Sequence, residues 1–223
     1  MLNKKNEKLL LFDYDGTLVD SAQMIIDGTI EAFNRCGLET PQPEEIKAGI
    51  GQKLDIAIKS YLPHEYRGAL DEVIRHYRAW YAEKDLEGTQ FEPLFKNVKP
   101  VLKILQQDGW KLGIATNKSL RGLNRGLLHH EIEEFFSIKM TTDHFTPKPD
   151  KAMAIHALRT LKIKNSEAFM IGDTVYDIKM GKNAKINTVA VTWGYNTEEE
   201  LHQENADHII HDLNELVEIL REL

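Results

Sequence analysis

Hydrophobic and polar positions follow two patterns along this chain, one typical of buried strands and the other of amphipathic helices. Strand-like segments are predicted at residues 9–12, 111–115, 137–142, 168–171 and 187–191. Between them, helical spacing of apolar residues predicts helices over residues 22–35, 98–107, 119–129 and 151–161, with a last helix at the end of the chain. Ser21 precedes the first helix and is a favourable N-cap residue. Strands that alternate with helices predict an α/β fold, in which a Rossmann-like parallel sheet carries helices on both faces.

Residues 21–87 differ from the rest of the chain because they contain no strand-like segment. After residue 35, the helices predicted in this part cover residues 44–48, 53–61 and 63–84. Gly49 and Gly51 separate the first two of these helices, and Pro63 is well placed to open the third. We interpret residues 21–87 as an all-helical cap domain that is inserted into an α/β core formed by residues 1–20 and 88–223.

Composition limits the partners that this chain can have. The 223 residues carry a net charge of -7, which argues against binding to a nucleic-acid backbone. No apolar run is long enough to span a membrane, and residues 1–8 lack the apolar core of a signal peptide. The one cysteine, Cys36, is interpreted as a packing residue and allows no intramolecular disulfide, as is typical of a reducing compartment. We expect a cytoplasmic protein, monomeric or homodimeric, without nucleic-acid or membrane partners.

Two aspartates follow the first predicted strand directly. Asp13 and Asp15 are separated by one residue, so in an extended segment their side chains point the same way. Gly16 then permits a tight exit from the strand. An ordinary Asp-Gly turn accounts for Asp15 but not for Asp13, and two adjacent carboxylates repel each other unless a cation, a proton or strong donors lie nearby. The pair therefore indicates a functional site.

Further polar residues follow the other predicted strands. Thr116 and Asn117 come after the second strand, Lys148 lies in a loop after the third, and Asp173 follows the fourth, with Asp177 beyond it. Each of these residues by itself is typical of a turn or of a solvated surface. If the strands are parallel neighbours, however, all of these side chains meet at one edge of the sheet. Carboxylates suit Mg²⁺, and lysine and hydroxyl groups suit phosphate oxygens.

The same segments resemble, in order, the four motifs of the haloacid dehalogenase superfamily of phosphohydrolases, in the phosphoglycolate-phosphatase-like branch with a helical cap. The matching segments are residues 13–21 (DYDGTLVDS), 116–118 (TNK), 148–150 (KPD) and 172–177 (GDTVYD). The chain departs from this branch at two places. Lys151 stands where the third motif often has a proline, and Gln52 and Lys53 follow Gly51 where the cap loop often has one. The second departure leaves the choice of substrate open.

The resemblance implies a phosphatase reaction in two steps. Asp13 attacks the phosphorus and forms an aspartyl-phosphate, and Asp15 first protonates the leaving oxygen and then deprotonates the hydrolytic water. Thr17 is the residue typical of the phosphatases, whereas phosphomutase relatives often have valine there. The residues implied to hold the phosphoryl oxygens are Thr116, Asn117 and Lys148.

The resemblance also implies a bound Mg²⁺. Its expected ligands are the carboxylates of Asp13 and Asp173 and the backbone carbonyl of Asp15. Asp177 is expected to orient either a metal-bound water or Lys148.

The implied substrate is a small phosphorylated metabolite, and phosphoglycolate is the leading candidate. Pyrophosphate, a sugar phosphate and a nucleotide monophosphate stay open as alternatives. A second hypothesis is a phosphoglucomutase-like transferase, against which Thr17 weighs. A non-enzymatic phosphate-binding module is less favoured, because binding alone does not require both Asp13 and Asp15.

Overall fold

The computed structural model describes residues 7–88 and 92–222. Within these residues, six parallel strands form one sheet in the order β3-β2-β1-β4-β5-β6. The strands are β1 (Leu9–Phe12), β2 (Lys111–Thr116), β3 (Phe136–Thr141), β4 (Ala168–Gly172), β5 (Asn187–Val191) and β6 (His208–Ile210). The predicted α/β class, with a Rossmann-like parallel sheet, is therefore confirmed.

Helices cover both faces of this sheet. The side chains of β1 are apolar and point alternately to one face and the other, so both faces must be buried. Leu10 and Phe12 belong to one buried cluster, which includes residues of α5 (Val98–Gln107), α6 (Leu120–His129) and α10 (Leu213–Glu222). Leu9 and Leu11 belong to a second cluster on the other face. That cluster includes residues of α7 (Ala152–Leu161) and α8 (Val175–Ala184), and α9 (Glu198–Gln203) packs against β5 and α8.

The segment predicted to form the cap, residues 21–87, consists of helices and the loops between them and contains no strand. It contains α1 (Ala22–Arg35), α2 (Pro43–Ala48), α3 (Leu54–Tyr61) and α4 (Leu70–Glu87). Phe33, Ile58 and Val73 belong to a buried cluster of this segment that is separate from the two clusters of the sheet. The exact division into residues 21–87 and the two flanking core segments stays a prediction.

The structure corrects three details of the sequence prediction. The third cap helix does not run unbroken from residue 63, because a 3₁₀ turn (His64–Ala69) precedes α4. The short strand β6 was not predicted, since three residues are too few to give a periodic signal. Ser21 makes no side-chain capping bond to α1; its backbone N–H instead donates to the Tyr195 hydroxyl at 2.9 Å, and the two hydroxyl oxygens lie 3.2 Å apart.

Predictions that concern residues 1–6, 89–91 and 223, including most of the N-terminal segment, lie outside the described residues. Among residues 7–88 and 92–222, no helix is both long and apolar enough to cross a membrane.

Candidate active site

The predicted site residues meet at the carboxyl edge of the sheet, around the end of β1. This strand lies between β2 and β4, so the loops that follow all three strands come together there. The backbone N–H of Asp13 still donates to the carbonyl of Ile171 in β4 at 2.9 Å, which fixes Asp13 at the last rung of the sheet. The topology thus brings together motifs that are far apart in the sequence.

A buried lysine links two of the aspartates. Lys148 Nζ lies 2.8 Å from Asp13 Oδ1 and 2.6 Å from Asp177 Oδ1, and the three side chains are 0%, 2% and 0% exposed, respectively. Burial lowers the pKa of Lys148, but the charges of Asp13 and Asp177 raise it by more, so this pKa lies above its ordinary value and the side chain is a cation. Lys148 therefore contacts both Asp13 and the residue that was expected to orient it.

Asp13, Asp173 and Asp177 form a cluster of buried carboxylates. One oxygen from each lies within 4.8 Å of the others. Burial raises the pKa of Asp13 to about 7, although Lys148 acts in the opposite direction. Burial and then the neighbouring charges of Asp177 and Asp13 raise the pKa of Asp173. One lysine lies beside these three carboxylates, so a bound cation would stabilise the charged forms of Asp13 and Asp173 against the effect of burial.

The donor set of this cluster fits a divalent cation. Its oxygens are hard ligands of the kind that Mg²⁺ prefers, and one oxygen from each of the three buried carboxylates lies close enough to the others to share one ion. Asp173 is held by the Thr17 hydroxyl, which donates to Oδ1 at 2.8 Å, and by the Tyr195 backbone N–H, which donates to Oδ2 at 2.9 Å. The carboxylate of Asp15 lies outside the cluster; the expected role of its backbone carbonyl stays a prediction.

Gly16 is required where it stands. Its φ of +81° is strained for other residues, and a Cβ atom would lie 2.2 Å from Asp173 Oδ2. The glycine that follows the two aspartates therefore lets the chain turn and lets Asp173 approach the end of β1.

Lys118 is a site residue to which sequence reasoning gave no role. Its Nζ donates to Asp15 Oδ1 at 2.9 Å and lies 3.4 Å from Glu92 Oε1. The signal available in the sequence was the position of Lys118 directly after Thr116 and Asn117. Nothing in the sequence pointed to Glu92.

Thr116 and Asn117 lie at the same edge but differ in their contacts. The Thr116 hydroxyl is buried and accepts a hydrogen bond from the Lys118 backbone N–H at 3.2 Å. Asn117 Oδ1 accepts from the Lys148 backbone N–H at 2.9 Å, and its Nδ2 donates to the carbonyl of Gly51 at 2.8 Å. Asn117 thus connects the third motif to the cap loop. Its predicted contact with phosphoryl oxygens stays a prediction.

A cavity of about 640 Å³ lies between this edge and the helical segment. Asp13, Asp15 and Thr116 line its floor. The residues on the side of the helical segment include Gln52, Lys53, Tyr77, Arg78 and Tyr81. Of the aromatic residues in α4, Tyr77 and Tyr81 therefore contribute to the cavity wall, whereas Trp80 is buried and not among its lining residues.

The cations of this cavity fall into two groups. Three are paired with a carboxylate: Lys53 with Asp55 at 2.9 Å, Lys118 with Asp15 at 2.9 Å, and Arg125 of α6 with Asp85 of α4 at 3.0 Å. Arg78 and Arg121 also line the cavity, and their side chains form no ion pair or hydrogen bond with another described residue. The cavity can therefore offer positive charge to an anionic group at some distance from the carboxylate cluster.

Comparison with known proteins identifies the family of this chain. The chain belongs to the haloacid dehalogenase-like hydrolase family, whose model matches residues 10–191. It is 31% identical to the pyrophosphatase PpaX of Anoxybacillus flavithermus, over 96% of this chain and 97% of that protein. It is 30% identical to the phosphoglycolate phosphatase of Psychrobacter arcticus, over 96% of both chains. A haloacid dehalogenase-like hydrolase from Streptococcus pneumoniae has a TM-score of 0.85 and 25% identity, over 96% of this chain and 99% of that one.

Proposed function

We propose that this protein is a Mg²⁺-dependent phosphatase that hydrolyses a small phosphate compound through an aspartyl-phosphate intermediate. The observation that carries the proposal is the meeting of Asp13, Asp15, Lys148 and Asp173 at the floor of one covered cavity or directly beside it. Membership of a hydrolase family supports the reaction class.

In this proposal, Asp13 is the nucleophile. It lies at the end of a central strand and lines the cavity, so its carboxylate can reach a phosphorus atom bound there. Attack forms an acyl phosphate and releases the leaving oxygen, which replaces one difficult displacement by two easier ones. Asp15 lines the same cavity and protonates the leaving oxygen; in the second step it takes a proton from the attacking water.

Lys148, Thr116 and Asn117 have the proposed task of holding the phosphoryl oxygens. Lys148 would contribute a buried positive charge, and Thr116 would contribute a hydroxyl donor. Asp13 and Asp173, with the backbone carbonyl of Asp15, would hold Mg²⁺. The ion would supply positive charge that offsets the repulsion between the nucleophile and the phosphoryl group.

The substrate that we propose carries a second anionic group beside the phosphate that is cleaved. Arg78 and Arg121 support this, since both line the cavity without a partner among the described residues. Phosphoglycolate and pyrophosphate both have this property, and relatives of this chain are named for each of them. Phosphoglycolate is our first candidate and pyrophosphate is the second. A cytoplasmic location, the absence of nucleic-acid and membrane partners, and a monomeric or homodimeric state stay predictions.

A panel of phosphorylated metabolites tests the proposal. Release of free phosphate would be measured with phosphoglycolate, pyrophosphate, sugar phosphates and nucleotide monophosphates, and the values of kcat/KM would be compared. Asp13→Asn should abolish turnover and leave the circular dichroism spectrum unchanged, whereas Asp27→Asn, an exposed aspartate on α1, should keep full activity. Turnover in Asp13→Asn would contradict its role, and transfer of phosphate between hydroxyls would favour a mutase.

A further inference from the structure

The two aspartates of the first motif are each paired with a different lysine, one from the third motif and one from the second. Asp13 is paired with Lys148, and Asp15 is paired with Lys118. We propose that Lys118 is a positioning residue, which holds the carboxylate of Asp15 in the orientation needed for proton transfer and is itself anchored by Glu92. This inference rests on the proposed function, because it assumes that Asp15 transfers a proton.

Lys118 lines the cavity, and its side chain is mostly buried among specific neighbours. Its side chain is 11% exposed, and those of Asp15 and Glu92 are 13% and 5% exposed. The ammonium group also lies 5.6 Å from the centre of the Tyr14 ring, a distance at which a cation is attracted to the ring face. Two carboxylates and an aromatic ring therefore surround one ammonium group, which leaves it little rotational freedom.

Lys118 contacts one particular oxygen of Asp15. Nζ donates to Oδ1 at 2.9 Å, whereas Oδ2 has no hydrogen-bond partner in the described part of the chain. Asp15 itself lines the cavity. Oδ2 is thus the oxygen that stays available to exchange a proton with the leaving group or with water, and Lys118 determines which way it faces.

Glu92 is well suited to anchor Lys118 because its own backbone is fixed to the core. His130, at the end of α6, contacts the Glu92 carbonyl oxygen through Nε2 at 2.8 Å. Two residues further on, Leu94 forms a β-bridge with Val19 of the first motif. Loss of the Glu92 charge should therefore loosen Lys118, while the main contact with Asp15 persists.

The leaving group of the substrate gives a direct test. An alkyl phosphate has a poor leaving group that needs a proton donor, whereas p-nitrophenyl phosphate has a good one that needs little help. The comparison would use kcat/KM for both substrates, since this ratio covers the steps up to loss of the leaving group. The variants are Lys118→Met, Lys118→Arg and Glu92→Gln, and Lys103→Met is the control, since Lys103 is an exposed lysine of α5.

We expect Lys118→Met to lower kcat/KM for the alkyl phosphate about 100-fold, which is within the range that general acid catalysis contributes. The same variant should lower kcat/KM for p-nitrophenyl phosphate less than about 5-fold. Lys118→Arg should restore much of the loss, and Glu92→Gln should give a smaller loss with the same dependence on the leaving group. In Asp15→Asn, which already lacks the proton donor, adding Lys118→Met should cause no further loss, because the two residues act as one unit.

Several results would overturn the proposal. Equal losses for the two substrates would mean that Lys118 acts on folding or on phosphate binding, and a raised KM with unchanged kcat would mean that it contacts the substrate. If Lys118→Met fails to fold, Lys118→Arg and Glu92→Gln decide by the same comparison. If the wild-type protein hydrolyses neither substrate nor any compound of the metabolite panel, the proposed function fails and this role fails with it. If the wild-type enzyme is active but the variants lose equal kcat/KM with both substrates, the role of Lys118 fails and the proposed function stands.

Discussion

Lys148→Met removes a buried ammonium group and keeps most of the volume of the side chain. In the wild-type structure this group lies 2.8 Å from Asp13 and 2.6 Å from Asp177, and its side chain is 0% exposed. Removing one partner of a buried charge cluster leaves carboxylates uncompensated, at a cost of about 3–5 kcal/mol. With a urea m-value of about 2–3 kcal/mol per M, the unfolding midpoint should fall by about 1–2.5 M.

The measurement is urea unfolding of metal-free protein, followed by tryptophan fluorescence. The control is Lys103→Met, which changes an exposed lysine and should alter the free energy of unfolding by less than about 0.5 kcal/mol. Addition of Mg²⁺ should recover part of the loss in Lys148→Met, because a ligand that binds the folded state stabilises it. A midpoint within about 0.3 M of wild type, far below the shift worked out for a buried charge, would refute this electrostatic account.

The remaining predictions concern the metal, the cap loop and pH. Activity should disappear in EDTA and return with Mg²⁺, and persistent activity in the chelator would remove the ion from the mechanism. Gly51→Ala should lower the thermal stability and the activity, because Gly51 has a φ of +93° and its Cβ would lie 2.8 Å from Thr174 Cγ2. Gly68→Ala is the control, because a Cβ at Gly68 would meet no atom within 4 Å. If the two variants lose equal stability and activity, the close contact between Gly51 and Thr174 is not the cause. Burial raises the pKa of Asp13 from 3.8 to about 7, so its contribution to the stability of the metal-free protein should be lost as the pH rises between these values. The thermal midpoint of wild type relative to that of Asp13→Asn should therefore fall across this range, and a constant difference between the two midpoints would contradict the shift.

Local signals in the sequence were sufficient for the elements that carry the site. The apolar run before Asp13 predicts β1 because a strand buried on both faces has no polar side. The boundaries of β5 and α5 agree with the predicted residues 187–191 and 98–107. Thr197 and Glu200 form a capping box at the start of α9, a local feature because both partners lie within one helical turn.

Other features could not be predicted from local signals, because their partners are far apart in the sequence. The Thr17 hydroxyl donates to Asp173 across 156 residues, and Lys118 reaches Asp15 across 103 residues. The backbone N–H of Ser21 donates to the hydroxyl of Tyr195, which is 174 residues away in the sequence. No periodicity reports such contacts, since they depend on how the loops after different strands are placed.

The sequence by itself determined which side chains bear the chemistry and that each follows a strand. Tertiary structure decided how their charges are shared. Lys148 forms ion pairs with Asp13 and Asp177, whereas Lys118 forms ion pairs with Asp15 and Glu92. The physical reason is that pairing of buried charges depends on distances of a few ångströms, and the order of strands in the sheet sets those distances.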